Sequence, residues 1–265
     1  MTTLEAGIPS ATANARVVLR REMRELWESM KGLTVLFSYT VLLSIMSYVA
    51  ASDAQLNLLD ARESVGVIVQ VAIGLGALAA LVVAADAISG ERERGTLEAL
   101  LVTPLQRRSL IIGKLVAANT MWLAALIVAL PYVFSLASGP GVAADAVAVL
   151  VIAGSLMSIA LTALGMAVSA VAGSNRVSLA ASIGMLLVLA APSQLPTVTA
   201  NGVLGSILIR ANPVSAGLKL ASEVLIAQKS WASQWTLLVS PAVAAVVLTV
   251  IAVALSSRIE LGDAR

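Results

Sequence analysis

Six long apolar blocks dominate this sequence, and each is close to the length a helix needs to cross a lipid bilayer. They run over Leu33–Ala50, Val65–Ala87, Leu110–Leu136, Ala146–Ala172, Val177–Ala191 and Thr236–Leu255. A helix needs about 20 residues to cross the ~30 Å hydrocarbon core. With no water there to bond the backbone, a segment must satisfy its own N–H and C=O groups, which a helix does. The fifth block is the shortest and stops before Pro192. Composition agrees: 59% of the 265 residues are hydrophobic and 12% are charged, against about 25% charged in a typical soluble domain. The expected fold class is all-α integral membrane, with six transmembrane helices.

Lysine and arginine orient the bundle. With six spans, both termini share a side. That side carries Arg16, Arg20, Arg21, Arg24 and Lys31, then Arg92, Arg94, Arg107, Arg108 and Lys114, then Arg176, Arg258 and Arg265, thirteen in all. The other side carries four: Arg62, Arg210, Lys219 and Lys229. Basic residues collect on the cytoplasmic side, so both termini and the 88–109 loop are expected in the cytoplasm, with the chain in the cell membrane. The net charge of +2 is too small to argue for a nucleic-acid partner.

Two absent residue types narrow the chemistry. Without cysteine there is no disulfide, thiolate metal site or thiol nucleophile. Without histidine there is no Ser-His-Asp catalysis, His-ligated metal or imidazole proton relay. No catalytic, cofactor-binding or metal residue is expected on the chain.

Residues 12–31 read as an amphipathic helix. Ala15, Val18, Leu19, Met23, Leu26, Trp27 and Met30 recur at helical spacing, and Arg16, Arg20, Arg21, Arg24, Glu25 and Glu28 fill the other face. Such a helix suits the headgroup region, among membrane lipids; packing on the rest of the protein is the alternative. Residues 1–31 form this lead, and 32–265 the transmembrane domain. Between the fifth and sixth blocks, Val203–Ile209 and Val214–Ala227 are apolar but too short to cross, with Asn212-Pro213 breaking between them. Two short helices that dip into or lie on the outer leaflet are expected, with Trp231 and Trp235 at the interface; a small external cap is the alternative. In the fourth block, Gly154, Ser158 and Thr162, then Gly165, Ser169 and Gly173, place small residues at four-residue intervals, a sign of close helix packing.

The most informative stretch is Asp86 to Lys114, DAISGERERGTLEALLVTPLQRRSLIIGK. Glu91 and Glu93 fall in the first turn of an expected short helix, where carboxylates suit the positive end of its dipole. Leu97, Leu100 and Leu101 follow at i, i+3, i+4 as an apolar stripe, and Thr103-Pro104 stops the helix. That stripe packs on its own helix ends and the bilayer, or it serves a cytoplasmic partner. Asp86 is read as a charge-paired acid at the edge of the membrane, with Arg92 or Arg94 near.

The stretch resembles the signature of the type-2 ABC transporter permease family. The residues that carry the resemblance are Gly90-Glu91-Arg92-Glu93-Arg94-Gly95-Thr96-Leu97-Glu98, Leu100-Leu101, Thr103-Pro104-Leu105, Arg107-Arg108 and Gly113-Lys114. In detail it is similar to the branch of the sodium exporter permeases and the nitrous oxide reductase maturation transporter permease. The resemblance implies an exporter subunit whose residues 12–31 form an elbow helix, here with Arg20, Arg21, Arg24 and Trp27. It implies a cytoplasmic coupling helix between spans two and three that docks on a separate ATPase, short re-entrant helices before the last span, and a dimer of permeases served by two ATPase subunits. ATP and Mg would sit on that partner. The phosphate-loop pattern G-x-x-x-x-G-K-[ST] does not occur, and Gly113-Lys114, followed by Leu115, reads as a chance fragment of it. An ion-coupled secondary carrier is the competing reading, although no charge sits at a span centre and no repeat is visible. A scaffold subunit without an ATPase is another.

Overall fold

The computed structural model describes residues 11–55, 60–96, 107–194 and 203–258. No strand occurs among them. The elbow helix is Ala11–Glu28. The spans are Lys31–Gln55, Ala61–Asp86, Arg107–Ser138, Ala143–Val171, Asn175–Ala190 and Thr236–Ala254, numbered first to sixth. Among the described residues, six helices are long and apolar enough to cross a membrane, and the chain is an all-α integral membrane protein. Below, the basic end is the one holding the elbow helix, and the far end is its opposite.

The second and fourth spans form the centre of the bundle. Over half of the most apolar window of each is buried, against about a tenth for the fifth. Small side chains make this possible. The ring of Trp122 in the third span lies between Gly76 and Gly154, where an added Cβ would stand 2.8 Å and 2.5 Å from it. Its indole N–H donates to Ser155 Oγ at 3.0 Å. A Cβ at Gly165 would meet the Leu81 carbonyl at 2.8 Å, so second- and fourth-span backbones nearly touch there. The small residues singled out from the sequence thus face protein at Gly154 and Gly165, whereas Gly173 lies just past the span and a Cβ on it would meet nothing within 4 Å.

The elbow helix does not rest its apolar stripe on lipid alone. Val18 sits against Gly113, and the Trp27 indole donates to Thr120 Oγ1 at 3.3 Å. Contacts move from Gly113 to Thr120 as the elbow advances from Val18 to Trp27, so it runs alongside the third span. Val18 and Leu26 are buried, while Arg16, Val17, Arg20, Arg21 and Arg24 are exposed. Met30 then takes a left-handed φ of 67°, turning the chain into the first span. The turn is tight: a Cβ on Gly32 would stand 2.7 Å from the Leu26 carbonyl.

The segment before the sixth span forms a helical hairpin, Val203–Ala211 and Pro213–Ala221. Asn212 at the bend accepts backbone hydrogen bonds from Val214 (3.0 Å) and Ser215 (3.2 Å), and Pro213 occupies the first turn, where its missing N–H costs nothing. The hairpin enters the bundle. Pro213 lines one cavity with Gly184 and Leu248, which lie inside the fifth and sixth spans, and Gly217 approaches Met157, the middle residue of the fourth. Ser215 Oγ donates to the Leu189 carbonyl at 3.3 Å. The return leg ends in a π-helical turn, Ser222–Ile226, with Ile226 against Gly66 near the far end of the second span. Trp231 then donates to Asp145 Oδ1 at 3.0 Å, at the far end of the fourth span. The pair is therefore a re-entrant hairpin and not an external cap.

Candidate functional site: the charged junction at the basic end

The second span ends at Asp86, and after a two-residue break the chain resumes as a five-residue helix, Ser89–Glu93. Sequence reasoning expected one helix from Glu91 through the leucine stripe. Instead the helix stops at Glu93, because Gly95 adopts a φ of 70°. The Gly95 N–H donates to the Arg92 carbonyl (3.2 Å), and Thr96 N–H to the Glu91 carbonyl (3.0 Å). This double closure is the Schellman arrangement, which favours glycine at the left-handed position.

Two sets of contacts hold this short helix. The first joins it to the elbow helix and third span. Lys114 Nζ lies 2.8 Å from Glu22 Oε1 and 3.0 Å from Glu91 Oε1. The side chains of Lys114 and Glu91 are 1% and 3% exposed, so the pair is shut from water. Arg21 adds a longer contact to Glu91 at 3.6 Å. Lys114 hydrogen-bonds Glu22, whereas neither Glu91 oxygen accepts a hydrogen bond among the described residues. The Lys114–Glu91 contact is thus charge proximity in a low dielectric, where attraction is strong and little screened. Asp86 meets Lys31 at 3.7 Å and Arg94 at 3.8 Å, and Arg94 also reaches Glu25 at 3.9 Å. Four carboxylates, Glu22, Glu25, Asp86 and Glu91, therefore meet four cations, Arg21, Lys31, Arg94 and Lys114. A small cavity of about 60 Å³ lies among them.

The second set joins the helix to the turn between the fourth and fifth spans. The Arg92 guanidinium donates to the Ala172 carbonyl and, at 3.2 Å, to that of Ala170. These carbonyls lie where the fourth span runs out of helical donors. Ser169 Oγ accepts the backbone N–H groups of Ile88 (3.1 Å) and Ser89 (2.9 Å). Asn175 Nδ2 donates to Asp86 Oδ1 at 2.8 Å, and Asn175 N–H to Glu93 Oε2 at 3.3 Å. Ser178 Oγ donates to the Ala85 carbonyl at 2.7 Å. Gly90 lets Asp86 fold over the helix, since a Cβ there would collide with the Asp86 carboxylate.

The carboxylates of Glu22, Glu25 and Glu91 lie close enough to bind a cation, within 4.8 Å of one another. The Lys114 ammonium already bridges two of them, and the four-to-four balance leaves no surplus negative charge for a metal.

Several expected site residues thus occupy positions the sequence did not foresee. Glu91 and Arg92 turn inward, Glu93 and Arg94 engage neighbouring elements, and Gly95 and Thr96 are exposed. Leu97, Glu98, Leu100, Leu101, Thr103 and Pro104 lie outside the described residues. Asp86 is charge-paired through Lys31 and Arg94 and is only partly buried, while Arg92 goes elsewhere; Glu91 is the buried acid at that level. Arg21 touches Glu91, and Arg20 and Arg24 point outward. Lys114, set aside in the sequence as a chance fragment, is the central cation. A lysine eight residues into a span was the available signal. Glu22, Asn175 and Ser178 carried none, and Ser169 read only as a small packing residue, because their partners lie 80 or more residues away.

A family model described as ABC-2 family transporter protein matches residues 17–259, nearly the whole chain. The chain belongs to the ABC-2 transporter family. No curated protein matches it. As an ABC-2 permease it is the membrane subunit of an ABC transporter, a multi-pass protein that is not itself the ATPase. The junction around Glu91 and Lys114 stands at the root of the loop between this permease's second and third spans.

Proposed function

We propose that this permease is the transmembrane half of an exporter and that its cytoplasmic ATPase docks on the loop beginning at Glu93. The observation that carries the reading is the family match over residues 17–259. The polar junction supports it: a loop braced on the elbow helix and on the fourth–fifth turn can pass a push into several spans at once. In this reading the termini are cytoplasmic, in the cell membrane, as the thirteen-to-four charge split suggests. ATP with Mg binds two partner ATPase subunits, whose closure draws the loops of two permease copies together. The response is rigid-body movement of packed helices and needs no catalytic side chain here.

Leu97, Leu100 and Leu101 would supply apolar docking area, with Arg94 and Glu98 setting register. Glu91 and Arg92 would act from behind, holding the loop to the bundle. Cargo would pass between the copies. An apolar groove of about 430 Å³, lined by Met46, Gly74, Leu78, Met157, Leu187 and Val214 among others, opens beside the first and fifth spans and suits an apolar cargo.

The test is co-expression of the permease with a candidate ABC ATPase subunit, followed by reconstitution into liposomes. Leu100→Asp and Leu101→Asp are expected to insert normally and to lose ATPase stimulation by at least about tenfold, since each places a charge in an apolar contact. Full stimulation in both variants, or transport without nucleotide, would overturn the reading.

A further inference from the structure

We propose that the permease holds one anionic membrane lipid at its far end, in a groove between the re-entrant hairpin and the sixth span. The groove encloses about 540 Å³ and is lined by Arg210 and Ala211 of the hairpin and by Thr236, Val239, Val243 and Val247 of the sixth span, ending at Leu248. From Thr236 to Leu248 the sixth span rises about 18 Å, close to the ~15 Å depth of one leaflet's hydrocarbon. Val239, Val243 and Val247 are each roughly half exposed along this path.

Arg210 supplies the head of the site. Ser240 Oγ donates to the Ala211 carbonyl at 2.7 Å, which fixes this part of the hairpin one turn inside the sixth span. Arg210 is thus a cation at the edge of the hydrocarbon, where an unpaired charge is costly. It is exposed, and among the described residues no carboxylate forms an ion pair with it. A guanidinium matches a phosphate in fork geometry, and its long stem lets it reach a headgroup from just below the interface. One cation at the mouth of an apolar track of leaflet length is complementary to a phosphodiester headgroup with its acyl chain beneath.

A second copy of the chain fits the groove less well. A two-fold contact would face this patch with itself, turning two arginines onto apolar surface with no acid in the lining to receive them. Burying a charge without a partner is strongly unfavourable.

The experiment uses the full chain in nanodiscs containing phosphatidylglycerol and phosphatidylcholine, with a photoactivatable acyl chain on one or the other. Adducts are mapped by mass spectrometry. On the 236–248 segment, the phosphatidylglycerol probe is expected to exceed the phosphatidylcholine probe by at least about tenfold, the ratio worth one charge-assisted contact. Arg210→Gln should bring the two probes level, and Arg210→Lys should keep most of the difference. Val243→Trp should fill the track and lower labelling by both. Adducts near the exposed elbow arginines serve as the internal control and should not change. Equal labelling of wild type by the two probes, or an undiminished preference in Arg210→Gln, overturns the proposal. So does a disulfide between copies formed by Val247→Cys in this otherwise cysteine-free chain, which would assign the groove to a copy–copy interface.

Discussion

At the scale of single residues, Lys114 decides most. Its ammonium lies between Glu22 and Glu91, two carboxylates from separate elements, where all three side chains are largely or wholly removed from water. Removing one partner of a buried ion pair leaves an uncompensated charge and costs roughly 3–5 kcal/mol. Lys114→Met is therefore expected to lose about that much stability in thermal unfolding of the detergent-solubilised protein. Two carboxylates would then face each other with only the longer Arg21 contact to offset Glu91. The triple change Glu22→Gln, Glu91→Gln and Lys114→Met removes these three charges together, leaving the half-exposed Arg21 to water, and most of the loss should return, because an apolar or neutral replacement of a buried ionic group is often close to neutral. A triple variant no more stable than Lys114→Met would show that the ions hold the junction by something other than mutual compensation.

At the scale of elements, the re-entrant hairpin shows how a polar bend is tolerated inside a bundle. Asn212 satisfies two N–H groups that the helix starting at Pro213 leaves open, and Ser240 covers the Ala211 carbonyl. Asn212→Ala should cost about 1 kcal/mol, the usual value of a side-chain cap. Measured by hydrogen exchange, amides at the start of the Pro213–Ala221 helix should open about fivefold more readily, with the second and fourth spans unaffected. The elbow helix makes a complementary point. Its acids Glu22 and Glu25 face the junction while Arg16, Arg20 and Arg24 face out, so a single 18-residue helix both packs on protein and presents a basic surface.

At the scale of the whole molecule, the central second and fourth spans contrast with the open first and fifth. The fifth exposes Val177, Ile183, Leu187 and Val188, and a Cβ added at Gly184 would point into open space, with nothing within 4 Å. Apolar side chains gain nothing by leaving lipid for another apolar surface, but small residues let backbones approach closely, and Gly184 offers that. Single cysteines at Gly184 and at Val188 are expected to form disulfide-linked homodimers in membranes, whereas a cysteine at Ile127, exposed on the third span, is not. Cross-linking at Ile127 in preference to Gly184 would place the second copy on the opposite flank and remove the 430 Å³ groove from the proposed path.

Much of the architecture was legible in the amino-acid order because its cause is local. Whether a stretch partitions into lipid depends on the summed transfer free energy of about 20 neighbouring residues, so the six spans could be counted and their ends placed within a few residues. The break at Asn212-Pro213 was visible for the same reason, since proline restricts the residue before it. Which way a charged side chain turns is a different kind of fact. Glu91 and Glu93 are two residues apart in one helix, yet one is buried against Lys114 and the other caps the turn at Asn175. That choice depends on helices far along the chain, because a buried charge goes where its partner is. Helical spacing says that Val18 and Leu26 share a face; only the packed bundle decided that the third span covers it and brings Glu22 to Lys114. Hydropathy likewise marked two helices too short to cross, and only the contacts with Met157, Leu189 and Ser240 decided that they enter the bundle.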